Sequence, residues 1–322
     1  MTDALRHRIG LLAALLMGSL VAVQSRINGQ LGADLGVGVL AAVVSFGGGL
    51  VLLCIGLAVS SGFRDRLRSV VVAARRGRLR PSYLLGGVCG AFLVASQGIT
   101  VGTIGVAMFT VAVVGGQIAS SLVVDKLGVG PAGATPITAT RVVGAGLGVV
   151  AVIIAMSGRF DGGTGAIALA ILPALAGIGL AWQQAVNGRV AGVGGPMAAS
   201  MVNFAVGTVA LVVVGGVAVA IDGWPTAWPS DPRLYLGGVL GLVFIAGAAV
   251  IVRWIGVLLL GIASVAGQLI AAVLLDVVAP AGEELTATVL IGCALLLVAV
   301  AVAASAPVRV LPPSAREKRA QP

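Results

Sequence analysis

Amide side chains are the polar groups with the most regular spacing in this sequence. Gln24 and Asn28 are four residues apart and therefore share one face of a helix, and Gln183 and Asn187 repeat that spacing. Amides donate and accept hydrogen bonds without carrying charge, which suits a polar, uncharged or zwitterionic ligand. The candidate binding residues are Gln24, Asn28, Gln117, Gln183, Asn187, Asn203 and Gln268. The alternative is that these amides only join neighbouring helices, at about 1 kcal/mol each.

Two aspartates are candidates for proton coupling. Asp125 and Asp276 each follow a Gly-Gln pair at the same spacing, and each falls near the end of an apolar segment. A carboxylate near a membrane site can titrate during transport. The alternative is a charge at the membrane interface, with Asp125 paired to its neighbour Lys126.

Enzymatic and metal-dependent functions find no support in the residue pattern. The only histidine is His7, close to the N-terminus, and the three cysteines fall inside apolar segments without metal-ligand spacing. No Gly-x-x-x-x-Gly-Lys loop is present, so the sequence predicts neither ATP binding nor any other cofactor.

The elements that must position these side chains are membrane-spanning helices. The 322 residues are 59% hydrophobic and 10% charged, whereas soluble domains are about 25% charged. A membrane-spanning helix needs about 20 apolar residues, and the segments show no alternation typical of strands. We predict an all-α, polytopic membrane protein with ten transmembrane helices. They lie at roughly 9–30, 36–59, 83–101, 104–124, 137–157, 164–186, 197–221, 234–252, 255–277 and 286–305.

The basic residues orient these helices. With the N- and C-termini in the cytoplasm, all of the 20 Lys and Arg residues face the cytoplasm except Arg26, Arg159 and Arg233. This distribution obeys the positive-inside rule and predicts a multi-pass membrane protein with both termini in the cytoplasm. Seven arginines crowd into the loop at 60–82, where they face anionic lipid headgroups. The net charge of +9 therefore indicates a lipid partner and no nucleic acid.

The chain contains an internal repeat, which divides it into two halves. Four motifs recur in the same order: 24–31 as 183–190, 45–49 as 203–207, 86–90 as 237–241, and 116–118 as 267–269. Five helices per half is an odd number, so the second half enters the membrane from the opposite side. We predict a first repeat at 1–158, an inverted repeat at 159–306 and a disordered cytoplasmic tail at 307–322. Inverted repeats are typical of secondary transporters that work by alternating access.

The five-plus-five arrangement resembles the drug/metabolite transporter superfamily. The Gln-x-x-x-Asn-Gly motif, the Ser-Phe and Asn-Phe pairs and the Gly-Gln with a downstream Asp resemble its YdcZ-type branch, in a tandem two-repeat form. The resemblance implies a bacterial inner-membrane carrier of the exporter type. We predict that it moves a small polar metabolite or drug-like molecule by alternating access. Two alternatives stay open: a channel-like facilitator for a small neutral solute, and a proton-coupled exporter of organic cations that uses Asp125 and Asp276. Gly-xxx-Gly pairs at 86–90, 144–148 and 237–241 predict helix packing within the chain or in a homodimer.

Overall fold

The computed structural model describes residues 3–131, 133–134, 136–157, 163–280 and 285–305, and this part of the chain is helical without strands. The helices are α1 (Asp3–Leu35), α2 (Gly38–Val59), α3 (Ser61–Arg75), α4 (Gly86–Lys126), α5 (Ala139–Ser157), α6 (Gly163–Asp222), α7 (Gly237–Val278) and α8 (Ala287–Ala304). Short 3-10 turns at Pro81–Leu85 and Pro232–Tyr235 lead into α4 and α7. The predicted tail at 307–322 lies outside the described residues.

Seven helical segments of the described chain are long and apolar enough to cross a membrane. Two of them, Pro81–Lys126 with 46 residues and Ile171–Asp222 with 52, far exceed the length that one crossing requires, about 20 residues. Each contains a glycine with a backbone conformation that is almost unique to glycine: Gly105 at φ 78°, ψ 166° and Gly195 at φ 78°, ψ 171°. The glycines therefore interrupt both long helices.

Helix α6 folds back on itself at Gly195. The side chains of Asn187 and Asn203 form a hydrogen bond of 3.1 Å, although a straight helix would place these residues about 24 Å apart. Gly195 lies midway between them, and Pro196 follows it, where proline is tolerated because the first residue of a helix needs no amide donor. The turn thus brings the two arms of α6 side by side.

The basic segment at 60–82, predicted to be a loop, contains helix α3. The Ser60 hydroxyl accepts a hydrogen bond from the Phe63 amide at 3.2 Å and thereby caps the helix. Phe63, Val70 and Ala73 are buried, and α3 packs against α6. A search for apolar runs of membrane length cannot detect such a short amphipathic helix.

The helices pair across the two halves. Helix α1 packs against α7, α4 against α6, and α5 against α8. A Cβ on Gly116 would overlap the carbonyl oxygen of Ala174. In the corresponding contact of the repeat, a Cβ on Gly267 would overlap the carbonyl oxygen of Leu15. Small residues permit this close contact between backbones in a membrane protein. Helix α4 is central, because 83% of the residues in its most apolar 18-residue stretch are buried, against 22% to 39% in the other six segments.

Candidate functional site

Three of the predicted amides in the second half form one hydrogen-bonded cluster. Asn203 Oδ1 accepts from Gln183 Nε2 at 2.9 Å and from Asn187 Nδ2 at 3.1 Å. Gln183 and Asn187 lie one turn apart on the first arm of α6, and Asn203 lies on the returning arm. The turn at Gly195 therefore builds this cluster from a single helix.

The first half forms a different amide cluster around Asn28. Asn28 Nδ2 donates to Gln97 Oε1 at 2.7 Å, and Gln97 Nε2 donates to the Ser25 hydroxyl at 3.0 Å. Sequence reasoning missed Gln97 because the repeat places Ala248 at the equivalent position. Its presence inside an apolar segment was the signal that could have identified it. Gln24 is half-buried and lies beside Gly241.

Glycines of the opposite half lie directly against the repeat-related glutamines Gln183 and Gln24. A Cβ on Gly90 would be 2.5 Å from Gln183 Nε2, and a Cβ on Gly241 would be 3.1 Å from Gln24 Nε2. The two contacts are counterparts in the repeat, and each joins a residue of one half to a residue of the other. The Gly-xxx-Gly pairs at 86–90 and 237–241 thus make contacts within this chain.

An aromatic pair lies between the halves. The rings of Phe46 and Phe204 have centroids 5.0 Å apart with an interplanar angle of 39°. Each ring occupies the space beside a glycine of the other half: Phe204 beside Gly49, and Phe46 beside Gly207. The pair is reciprocal, since these four residues exchange places under the repeat.

Two buried amide oxygens lack hydrogen-bond partners. Asn28 is fully buried and Gln183 is 8% exposed, yet Asn28 Oδ1 and Gln183 Oε1 accept no hydrogen bond from the described residues. A buried acceptor without a donor costs about 1–3 kcal/mol. Both oxygens lie against glycines of the other half: a Cβ on Gly237 would be 2.3 Å from Asn28 Oδ1, and a Cβ on Gly90 would be 3.3 Å from Gln183 Oε1.

A cavity of about 310 Å³ lies beside the second-half cluster. Its polar lining includes Gln117, Ser121, Asp125 and Gln184, and Gln117 Nε2 donates to Gln184 Oε1 at 2.9 Å. Gln184 directly follows the buried Gln183, so the cavity wall and the amide cluster occupy the same turn of α6. The structure thereby brings Gln117 and Asp125 together in one accessible space.

Gln268 lies apart from this cavity. It is half-buried on α7 and makes no hydrogen bond within the described residues. The adjacent Gly267 packs against α1, where the Ser19 hydroxyl donates to its carbonyl oxygen at 3.3 Å. Although the repeat relates Gln268 to Gln117, the two residues have different surroundings.

The two aspartates also differ. Asp276 is 7% exposed, and its carboxylate oxygens accept from the amides of Val106 and Ala107 at 3.0 and 2.7 Å. It caps the second arm of α4 directly after Gly105. Asp125 has a side chain that is 39% exposed and forms an ion pair with Arg141, not with its neighbour Lys126. Asp276 is therefore a buried helix cap, and Asp125 a cavity residue.

These features define a polytopic α-helical membrane protein with polar residues between two related halves. A family model described as "Putative inner membrane exporter, YdcZ" matches the chain twice, over residues 9–154 and 168–302. The chain belongs to this family, in a tandem form with two copies of the unit, and the predicted resemblance is confirmed. It is a membrane protein of an exporter family, a transporter rather than an enzyme.

The fold is similar to that of a solved structure. A structure described as "Crystal structure of protein" has a TM-score of 0.55 and 19% sequence identity, over 94% of this chain and 97% of that one. At this identity the similarity shows the fold alone. No curated protein sequence matches the chain.

Proposed function

We propose that this protein exports a small polar molecule by alternating access between two inverted five-helix repeats. The proposed topology has ten crossings: one on each side of Gly105 and of Gly195, two in the 42 residues of α7, and one in each of α1, α2, α5 and α8. The reciprocal contact of Phe46 with Phe204 carries the proposal. Contacts that map onto themselves when the halves are exchanged are expected of a two-fold relation. With five crossings per half, the axis lies in the membrane plane.

The two ends of the transport path differ in the state described. Asp276 ties α7 to the second arm of α4 through two hydrogen bonds. Its counterpart Asp125 instead lines the cavity of about 310 Å³. Alternating access requires one closed and one open side. We assign the Asp276 side as closed and the Asp125 side, which is cytoplasmic in the proposed topology, as open.

The substrate site is proposed at the second-half amide cluster, because Gln184 in the cavity wall directly follows Gln183 of that cluster. Gln183 Oε1 has no donor among the described residues, which favours a molecule with hydroxyl, amide or amino groups. The only carboxylate in the cavity lining is Asp125, and Arg141 neutralises it. A polar, uncharged or zwitterionic metabolite therefore suits the site better than an organic cation, which would need an unpaired carboxylate or an aromatic cage.

Counterflow in proteoliposomes tests this function. A panel of neutral and zwitterionic metabolites is first screened by thermal shift of the purified protein, and radiolabelled hits are then loaded at one side. An alternating-access carrier accelerates labelled uptake when unlabelled substrate is present on the opposite side. Equal uptake with and without unlabelled substrate would indicate a channel and contradict the proposal.

Variants of the amides test the site itself. We expect Asn187→Ala to weaken substrate binding by about 0.5–1.5 kcal/mol, the contribution of one hydrogen bond. Gln30→Ala is the matched control, because Gln30 is an amide on α1 that bonds to Asp34 outside both clusters. If Asn187→Ala lowers the melting temperature but leaves affinity unchanged, the amides serve helix packing and the site assignment is wrong.

A further inference from the structure

A second cavity, of about 490 Å³, lies between α3 and α6, away from the amide clusters. Arg68 and Arg76 on and after α3 line it, together with Arg78 in the following turn. Val193 forms the wall on α6. The transport mechanism proposed above uses none of these residues.

The cavity carries positive charge that the protein does not neutralise. Among the described residues that line the cavity, Asp65 carries the only carboxylate, against three guanidinium groups. The guanidinium groups of Arg68, Arg76 and Arg78 make no hydrogen bond or ion pair within the described residues. Guanidinium groups present forked donors that match the oxygens of a phosphate, so the arrangement favours a phosphate-bearing ligand.

Apolar side chains beside the arginines favour a lipid over a soluble phosphate. Val72 and Val193 line the cavity and are 38% and 43% exposed. Val71, which precedes Val72 in the chain, is 43% exposed. The opposite face of α3 is buried through Phe63 and Val70. A short helix with exposed valines and arginines is typical of an element lying at the headgroup level of a membrane.

We propose that this cavity binds the phosphate headgroup of an anionic phospholipid. The ligand lies where α3 meets the turn of α6: Val70 packs against Gly194, and the Arg66 side chain approaches Gly195. Val193, which lines the cavity, precedes that turn by two residues. A bound lipid therefore bridges α3 to the segment at which α6 reverses direction.

Lipid binding to the purified full chain in neutral detergent tests the proposal without any transport assay. The probes are cardiolipin, phosphatidylglycerol and phosphatidylethanolamine, with dissociation constants from native mass spectrometry. The test variant is the double substitution Arg76→Gln and Arg78→Gln. The control is Arg75→Gln with Arg80→Gln, which removes the same charge from exposed arginines outside the cavity lining.

We expect the anionic lipids to bind at least about tenfold more tightly than phosphatidylethanolamine, and the test variant to lose about that factor while the control changes by less than about twofold. Equal losses in both double variants would show diffuse attraction and overturn the site. Absence of a preference for anionic lipids would overturn it as well. Inorganic phosphate is added as a competitor: full displacement of lipid at equal concentration would assign the cavity to soluble phosphates and contradict a lipid ligand.

Discussion

At the scale of single residues, the repeat does not ensure equal roles. Asp125 and Asp276 occupy matching positions, yet only Asp276 is buried and bonded to two backbone amides. A carboxylate at the start of a helix also interacts favourably with the helix dipole. Asp276 therefore has a structural role, which leaves Asp125 in its cavity as the better candidate for coupling.

Substitution of each aspartate by asparagine separates these roles. We expect Asp276→Asn to lower the free energy of unfolding by about 1.5–3 kcal/mol, because the substitution replaces one of the two accepting oxygens with an NH2 group and removes the charge. Asp125→Asn is expected to cost less than about 1 kcal/mol, since its ion pair with Arg141 is partly exposed. Denaturant titration in detergent measures both. Equal losses would contradict the difference in burial.

At the scale of helices, glycine conformation decides where a long apolar helix turns. Gly195 adopts φ 78° and ψ 171°, which side chains rarely permit, and the amide cluster of the second half depends on the turn that it makes. Helix α3 rests on the same turn. The turn at Gly195 thus links the candidate substrate site to the arginine-lined cavity between α3 and α6.

Alanine substitutions in α6 test the importance of the turn. We expect Gly195→Ala to destabilise the protein by about 1–3 kcal/mol, because the alanine side chain strains this backbone conformation. Gly192→Ala is the control: Gly192 is exposed and helical, with nothing within 4 Å of an added Cβ, so it should be neutral or stabilising by up to about 1 kcal/mol. Thermal unfolding of the two variants compares them. Similar melting temperatures would show that Gly195 tolerates a side chain.

At the scale of the whole molecule, the proposed even number of crossings and the proposed opposite insertion of the halves make a topological prediction. A phosphatase domain, which is active only outside the cytoplasm, should be inactive when inserted after Gly77 and active after Thr226. Both sites are exposed loops that precede the start of α4 and α7. Activity at both sites or at neither would contradict the inverted arrangement.

Much of the fold was predictable because membrane helices must be long and apolar. Membership of the family followed from four short motifs in register. Contacts that do not join repeat-related side chains were harder to predict. Asp276 bonds to the backbone amides of Val106 and Ala107, and a backbone amide leaves no mark on the residue type. Arg141 reaches Asp125 across a loop between α4 and α5. Gln97 has no counterpart in the repeat, so a search guided by symmetry passed over it.

The contact between the rings of Phe46 and Phe204 has a genetic consequence. In a protein with a single five-helix unit, the same contact would require two copies of one gene product, and every substitution at that position would alter the interface twice. Here the two phenylalanines have separate codons, so either can mutate while the other is retained. Ser45 opposite Asn203 and Gln97 opposite Ala248 in the repeat register are differences of this kind. Two copies of the unit in one chain thereby allow one half of the molecule to change its polarity without imposing the same change on the other.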